Sequence, residues 1–151
     1  MLEAMAPSKV ATDALAREVW RAMFGLLTRS APTRTKSLAQ RGLTPNDSRA
    51  LFSLDAQTGR SMRSLADEWK CDPSYATWIV DRLEQLGLAQ RQVVSHDRRI
   101  KLVMLTRKGQ KTRTELMQEF HQPPPEFSQL ERADLEALGR VLAKLSPPKL
   151  S

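Results

Sequence analysis

A chain of 151 residues with 40% hydrophobic and 27% charged residues carries enough apolar material for one core, which excludes a disordered chain. Its single cysteine, Cys71, cannot close an internal disulfide and fits a reducing, cytoplasmic setting; no apolar run reaches the ~20 residues that cross a bilayer, and residues 1–12 lack the apolar h-region of a secretory leader. The net charge of +7 is concentrated: eight of 24 bases and one of 17 acids fall between Arg91 and Arg113, so the rest of the chain holds 16 of each. Such a concentration is the footprint of a polyanion. A membrane surface would require an amphipathic helix with an insertion face, whereas this stretch reads mostly as strands and a turn, so the expected partner is nucleic acid.

Taken in chain order, the first predicted helix runs from about Thr12 to Arg29. Leu15, Val19, Met23 and Leu26 form one stripe at helical spacing, with Trp20, Phe24 and Leu27 beside it. So wide an apolar arc exceeds what one small subunit can cover, which predicts packing on a second subunit or a distant helix. Ala31-Pro32 is expected to end this helix, and a short turn near Ser37 to Arg41 is expected before Gly42. Thr44-Pro45-Asn46-Asp47 reads as a helix start, with Thr44 as N-cap, Pro45 at the first helical position and Asp47 near the positive end of the dipole. That helix carries Leu51 and Leu54 inward and is expected to stop near Gly59.

Two short helices then follow, from Arg63 to Trp69 and from Pro73 to about Leu86. Lys70-Cys71-Asp72 joins them, Asp72-Pro73 repeats the cap-and-proline pattern, and Gly87 is the stop. This is a helix-turn-helix pattern. Leu88 to Val94 and Ile100 to Leu105 are rich in aliphatic residues and flank a polar tip from Ser95 to Arg99, which predicts a β-hairpin. Thr106 caps a further helix to about Gln122, Pro123-Pro124-Pro125 breaks it, and a last helix begins between Ser128 and Glu131. Leu135, Leu138, Leu142 and Leu145 give that helix a packing seam between subunits.

On a wheel of 100° per residue, Ala76, Ile79, Val80 and Leu83 make the buried face of the helix that starts at Pro73. Ser74, Trp78, Asp81 and Gln85 lie opposite, Tyr75 and Thr77 flank them, and Arg82 lies toward the Tyr75 side. One reading packs Trp78 beneath a neighbouring segment; the other sends this face into a major groove, where hydroxyls reach base edges and apolar groups touch thymine methyls. At the hairpin tip, arginine suits a narrow minor groove. There Asp97 is assigned an orienting role and Arg98 or Arg99 the groove contact, set against a plain solvated turn. His96 is a candidate phosphate contact. His96 and His121 have no cysteine near them in sequence, so neither a metal nor another cofactor is expected, and no Gly-rich phosphate loop, nucleophile–base pair or paired-carboxylate motif points to an enzyme.

From about Leu43 to Gly109 the chain resembles the MarR family, winged-helix regulators named for multiple antibiotic resistance. Two stretches carry the likeness: Leu65 to Leu88, the helix-turn-helix and the entry to the wing, and Asp97-Arg-Arg-Ile-Lys-Leu-Val-Met-Leu-Thr-Arg-Lys-Gly, which looks like the family's wing. The resemblance implies a mainly α (α+β) fold: a winged helix-turn-helix with a two-stranded β wing and N- and C-terminal dimerisation helices. The whole chain, 1–151, then reads as a single domain, with a DNA-binding region at about 44–106 and dimerisation helices at about 12–42 and 107–146.

It further implies a homodimer on a pseudo-palindrome of double-stranded DNA. Ser74, Tyr75, Thr77 and Trp78 face bases, Arg82 accompanies them, and Asp97 and Arg99 form the wing pair beside Arg98. Many members are repressors released by small phenolic or acidic ligands, for which Trp20, Arg21 and Phe24 are the candidate residues here. Oxidant-sensing relatives carry their cysteine in the first helix, which has none in this chain; Cys71 is read as a structural residue, with an oxidant sensor as its alternative. Another alternative is a protein-interaction module that uses Trp78 and Tyr75 as anchors.

Overall fold

The computed structural model describes residues 9–94 and 97–145, with the side chains of 94 and 97–100 outside the description. It opens with one long helix, α1 (Lys9–Ala39), with Pro32 inside it. The expected stop at Pro32 is therefore corrected, and so is the separate turn near residue 37. Proline removes one N–H from the ladder and crowds the preceding turn, but side chains reinforce that turn from outside. Ser30 Oγ and Arg34 Nη2 both donate to the Leu27 carbonyl, at 3.0 and 3.1 Å, and Arg34 Nη1 donates to Ser30 Oγ at 2.8 Å. The helix closes ten residues later than expected, where Gly42 N–H reaches Ala39 O and Leu43 N–H reaches Leu38 O, both at 3.0 Å.

The second helix, α2 (Pro45–Ser53), starts on a full capping box: Thr44 Oγ1 accepts from Asp47 N–H at 3.2 Å, and Asp47 Oδ2 accepts from Thr44 N–H at 2.7 Å. It ends at Ser53, short of Gly59, because the Asp55 carboxylate captures the N–H groups of Gln57 and Thr58 at 2.6 and 3.0 Å and turns the chain. That turn feeds β1 (Arg60–Ser61), a strand of two residues that the sequence pattern does not reveal. Helix α3 (Met62–Trp69) begins on Ser61, whose Oγ accepts from Ser64 N–H at 3.1 Å, and α4 (Pro73–Gln85) follows. Strands β2 (Ala89–Val94) and β3 (Asp97–Leu105) complete an antiparallel sheet in the order β1-β3-β2. The fold is mainly α with a β wing, and β1 adds a third strand to the expected pair.

Helix α5 (Arg107–Phe120) is capped by Thr106, whose Oγ1 accepts from Gly109 N–H at 3.0 Å. Beyond it come a 3-10 turn (Pro125–Gln129) and α6 (Arg132–Leu145), so the three prolines do break the chain. Compactness divides the chain into two units, Met1–Phe120 and His121–Ser151. The core of the first unit gathers Leu51, Leu65, Val80, Leu83, Val103 and Leu116, all fully buried. Among the described residues, no helix is long and apolar enough to cross a membrane, and no group of His, Cys, Asp or Glu could hold a metal ion.

Candidate nucleic-acid interface

Helix α4 follows α3 through a turn in which Lys70 adopts the left-handed conformation, φ 51°. Cys71 N–H reaches back to Ala66 O at 3.1 Å, which sets the sharp angle between the two helices. Asp72 stands at the N-cap of α4 with its backbone alone; its carboxylate makes no cap bond, which corrects the expected capping role. The apolar side of α4 is as the wheel places it: Ala76, Ile79, Val80 and Leu83 are buried.

The opposite side stays open. Trp78 is 51% exposed and Tyr75 40%, so Trp78 is not packed beneath another segment. Leaving an indole in water forfeits much of its burial free energy. The two rings stack, with centroids 5.7 Å apart and planes 12° off parallel. Ser74 and Thr77 are exposed beside them. Thr77 Oγ1 donates to the Pro73 carbonyl at 2.9 Å, so its hydroxyl offers outward acceptor capacity and a methyl group.

Arg82 is placed differently from the other candidates. Its Nε lies 3.1 and 2.9 Å from the two carboxylate oxygens of Asp47, and its Nη2 donates to the Gly42 carbonyl at 2.9 Å. Asp47 is fully buried, although its position at a helix start predicts a solvated dipole contact. Arg82 thus braces α4 against the start of α2, and this bracing role was missed from sequence, as was that of Asp47. The missed partner of Tyr75 is Asn46, whose Nδ2 donates to the phenol oxygen at 2.9 Å. Nothing local marks Asn46 or Asp47 as partners of α4; only an unusual pairing of helix-start residues with positions 29 and 35 further on would have shown it.

The C-terminal end of α4 is seated on α5. Gly87, at φ +70°, closes the helix, and Leu88 N–H reaches Leu83 O at 2.8 Å. Three carbonyls then find donors: Lys108 Nζ on Leu86 O at 2.7 Å, Thr106 Oγ1 on Gly87 O at 2.6 Å and Thr106 N–H on Leu88 O at 3.0 Å. At Gly109 a Cβ would lie 1.9 Å from Leu88 O, so only glycine permits this approach. A groove of about 250 Å³ lies next to this seat, lined by Arg41, Leu43, Leu86, Leu88, Lys108 and Glu115 among others. Arg41 is held further toward its charged form, foremost by its hydrogen bond to Glu119.

The wing is tied to the same helix. Arg91 on β2 pairs with Asp81 at 2.7 Å and with Glu84, which neutralises the acids flanking the aromatic face. The run of bases read in sequence is therefore divided: Arg91 and Lys108 serve internal contacts, while Lys101, Arg107 and Lys111 stay exposed. The backbone of Asp97, Arg98 and Arg99 belongs to β3, where the sequence pattern places them in a polar tip. The side chains of those three, and His96 entirely, lie outside the described residues. Trp20, Arg21 and Phe24 are all exposed on α1. Cys71 is half-buried and packs against the core, in a cavity of about 30 Å³ shared with Trp69, Tyr75 and Ile79.

Comparison with known proteins agrees with this geometry. Residues 41–100 match the model of the MarR family. The chain is 29% identical over 97 residues, 64% of its own length, to the HTH-type transcriptional repressor MdtR of Bacillus subtilis (strain 168), and spans 63% of the length of that curated relative. Its fold matches the crystal structure of the YusO protein from Bacillus subtilis with a TM-score of 0.74 at 25% identity, over 88% of this chain and 95% of the other. The S. aureus MepR–DNA complex matches at a TM-score of 0.60 and 20% identity, over 85% and 99% of the two chains. The helix-turn-helix and the wing thus make residues 41–100 similar to the MarR family, and the fold of the chain is similar to that of YusO.

Proposed function

We propose that this chain is a DNA-binding transcriptional regulator and not an enzyme. The observation that carries the proposal is α4 itself: four apolar residues anchor it from behind, while a stacked Tyr75–Trp78 pair with Ser74 and Thr77 stands open in front. A helix so presented fits a major groove, with the wing arginines Arg98 and Arg99 reaching an adjacent minor groove and Asp97 orienting one of them. MdtR is named a repressor and MepR was solved with DNA, which supports the same reading for this chain. Arg82 contributes by holding α4 in place.

The regulator acts as a homodimer and a repressor. On α1, Leu15, Val19, Trp20, Phe24 and Leu27 are each more than half exposed, and α6 buries no residue, so apolar faces on both helices are left for a second copy. Two copies related by a two-fold axis present two α4 helices to half-sites about one helical turn apart. Release by a small phenolic or acidic ligand completes the proposal. Trp20, Arg21 and Phe24 become walls of a site once a partner covers α1. The groove beside Lys108 offers a second route, since a ligand that recruits Lys108 removes it from the Leu86 carbonyl at the end of α4.

Fluorescence anisotropy with the DNA upstream of the chain's own gene tests the core of this proposal. Trp78→Ala is expected to weaken selective binding at least about tenfold, as loss of a stacked interface aromatic does. Arg99→Ala is expected to weaken binding to all sequences and lower the slope of log K against log salt by about 0.9 for each phosphate it no longer neutralises. Affinity that neither variant changes overturns the assignment of α4 and the wing.

A further inference from the structure

Helix α2 lies outside the helix-turn-helix, yet its first turn grips α4 twice. Asp47 holds Arg82, and the adjacent Asn46 holds Tyr75. Tyr75 and Arg82 are seven residues apart, so they occupy one face of α4 two turns from each other. The Asp47–Arg82 contact is rigid: Asp47 is fully buried, caps its own helix, and shares Arg82 with the Gly42 carbonyl. The backbone of Asn46 is consequently fixed with respect to α4, and the Asn46 amide to the phenol beside it.

A phenol carries one hydrogen to donate and lone pairs with which to accept. Asn46 Nδ2 donates to the Tyr75 oxygen, which takes up a lone pair on the side facing α2 and leaves the phenolic hydrogen directed elsewhere. Stacking on Trp78 limits rotation of the ring. Thr77 is the opposite case, since its hydrogen is committed to Pro73 O. Two neighbouring hydroxyls on the exposed face therefore have opposite polarity toward a ligand: Tyr75 donates and Thr77 accepts.

We infer that Asn46 is a positioning residue for sequence recognition: it fixes Tyr75 as a hydrogen-bond donor, so that Tyr75 selects base edges bearing an acceptor and disfavours cytosine. The major groove supplies the contrast. Guanine shows N7 and O6, adenine N7 and thymine O4, all able to accept, whereas cytosine shows the N4 amine, a donor. The inference rests on the DNA-binding reading above. Asn46 needs no contact with DNA in this scheme, because it acts through Tyr75.

The test is selection of sites from a randomised double-stranded oligonucleotide pool by the purified full chain, followed by affinities for sites changed at single positions. The wild type is expected to disfavour cytosine at one position in each half-site by about threefold to tenfold, the range of a single hydrogen bond. Tyr75→Phe removes the hydroxyl and erases that preference. Asn46→Ala frees the hydroxyl to turn either way, with the same result. Asn46→Asp offers acceptors alone and suits a first helical turn; it draws the phenolic hydrogen to itself, leaves Tyr75 an acceptor and turns the preference toward cytosine.

Melting temperatures of the three variants show that each is folded. A purely structural role for Asn46 would lower affinity for all sites equally, so an unchanged base preference in Asn46→Asp and Tyr75→Phe, with selective binding retained, overturns the inference and leaves the DNA-binding reading standing. Failure of the wild type to select any sequence overturns both.

Discussion

Helices α4 and α6 are nearly equal in length, 13 and 14 residues, and each carries an apolar stripe, yet they end in opposite environments. Helix α4 buries Ala76, Ile79, Val80 and Leu83, while Leu135, Leu138, Leu142 and Leu145 of α6 are 42, 37, 41 and 70% exposed. A stripe at helical spacing thus establishes that a helix requires an apolar neighbour, and leaves open whether that neighbour belongs to the same chain. Around α4 the sheet, α2 and α3 supply it, and polar side chains secure both ends. In α6 the seam stays partly exposed.

Truncation within the two stripes gives the largest contrast. Leu83→Ala opens a cavity in a fully packed core and is expected to cost about 3 kcal/mol or more, read as a fall in the midpoint of urea unfolding. Leu138→Ala removes a side chain that the chain itself leaves 37% exposed, and within one subunit the expected cost is below about 1 kcal/mol. Equal losses at the two positions would break the comparison, because α6 would then be held as firmly as α4.

Next in size is Arg82→Ala, which leaves Asp47 buried with its cap bond to Thr44 and no cation. Stranding a buried carboxylate costs about 3–5 kcal/mol, and the lower end applies here because the Arg82 side chain is itself 33% exposed. Arg82→Lys keeps a charge but loses the fork that serves Asp47 and Gly42 together, so its unfolding midpoint is expected between those of wild type and alanine variant. An alanine variant as stable as wild type, but weaker on DNA, would return Arg82 to the outward face.

The uncovered side of the comparison is sharpened by Trp20→Asp with Phe24→Asp. Both residues are about 60% exposed in the single chain, so the subunit fold should tolerate the pair, while the association constant of the proposed dimer, measured by sedimentation, should weaken at least about a hundredfold. A dimer unaffected by both changes would place the interface elsewhere.

What could be read in advance follows the range of the forces involved. The α4 wheel and the Thr44-Pro45 start depend on neighbours within four residues, and both are found as read. Pro32 misleads because α1 runs on through it, and the bonds of Ser30 and Arg34 to Leu27 O in the turn before it depend on a helix already formed. Strand β1 escapes detection because two residues carry no period, and Arg60 and Ser61 are defined only by pairing with Val103 and Leu102. The Asp47–Arg82 and Asn46–Tyr75 contacts join positions 35 and 29 apart, where no local rule reaches. The aromatic face of α4 was legible; the support beneath it was not.

The smallest effect concerns the link that enters the sheet. The Asp55 carboxyl is held below its ordinary value of 3.8 by the N–H groups of Gln57 first and Thr58 second, with a further contribution from the Arg113 charge. A group whose folded value is depressed adds stability that is present above its unfolded value and is lost as pH falls through the folded one. The turn is therefore expected to hold at pH 5 and to loosen as pH falls below 3.8. Hydrogen-exchange protection factors, which remove the intrinsic pH dependence of exchange, check this at Gln57 and Thr58. Protection should fall there before it falls in α4, and Asp55→Asn should show the low-pH protection at every pH. Because Leu105 N–H also binds the Asp55 carbonyl at 2.9 Å, loosening should spread to the β1–β3 edge while β2–β3 pairing persists. Protection at Gln57 and Thr58 that stays level from pH 5 to below the carboxyl range, or that falls together with α4, would show that backbone geometry and not the carboxylate holds this turn.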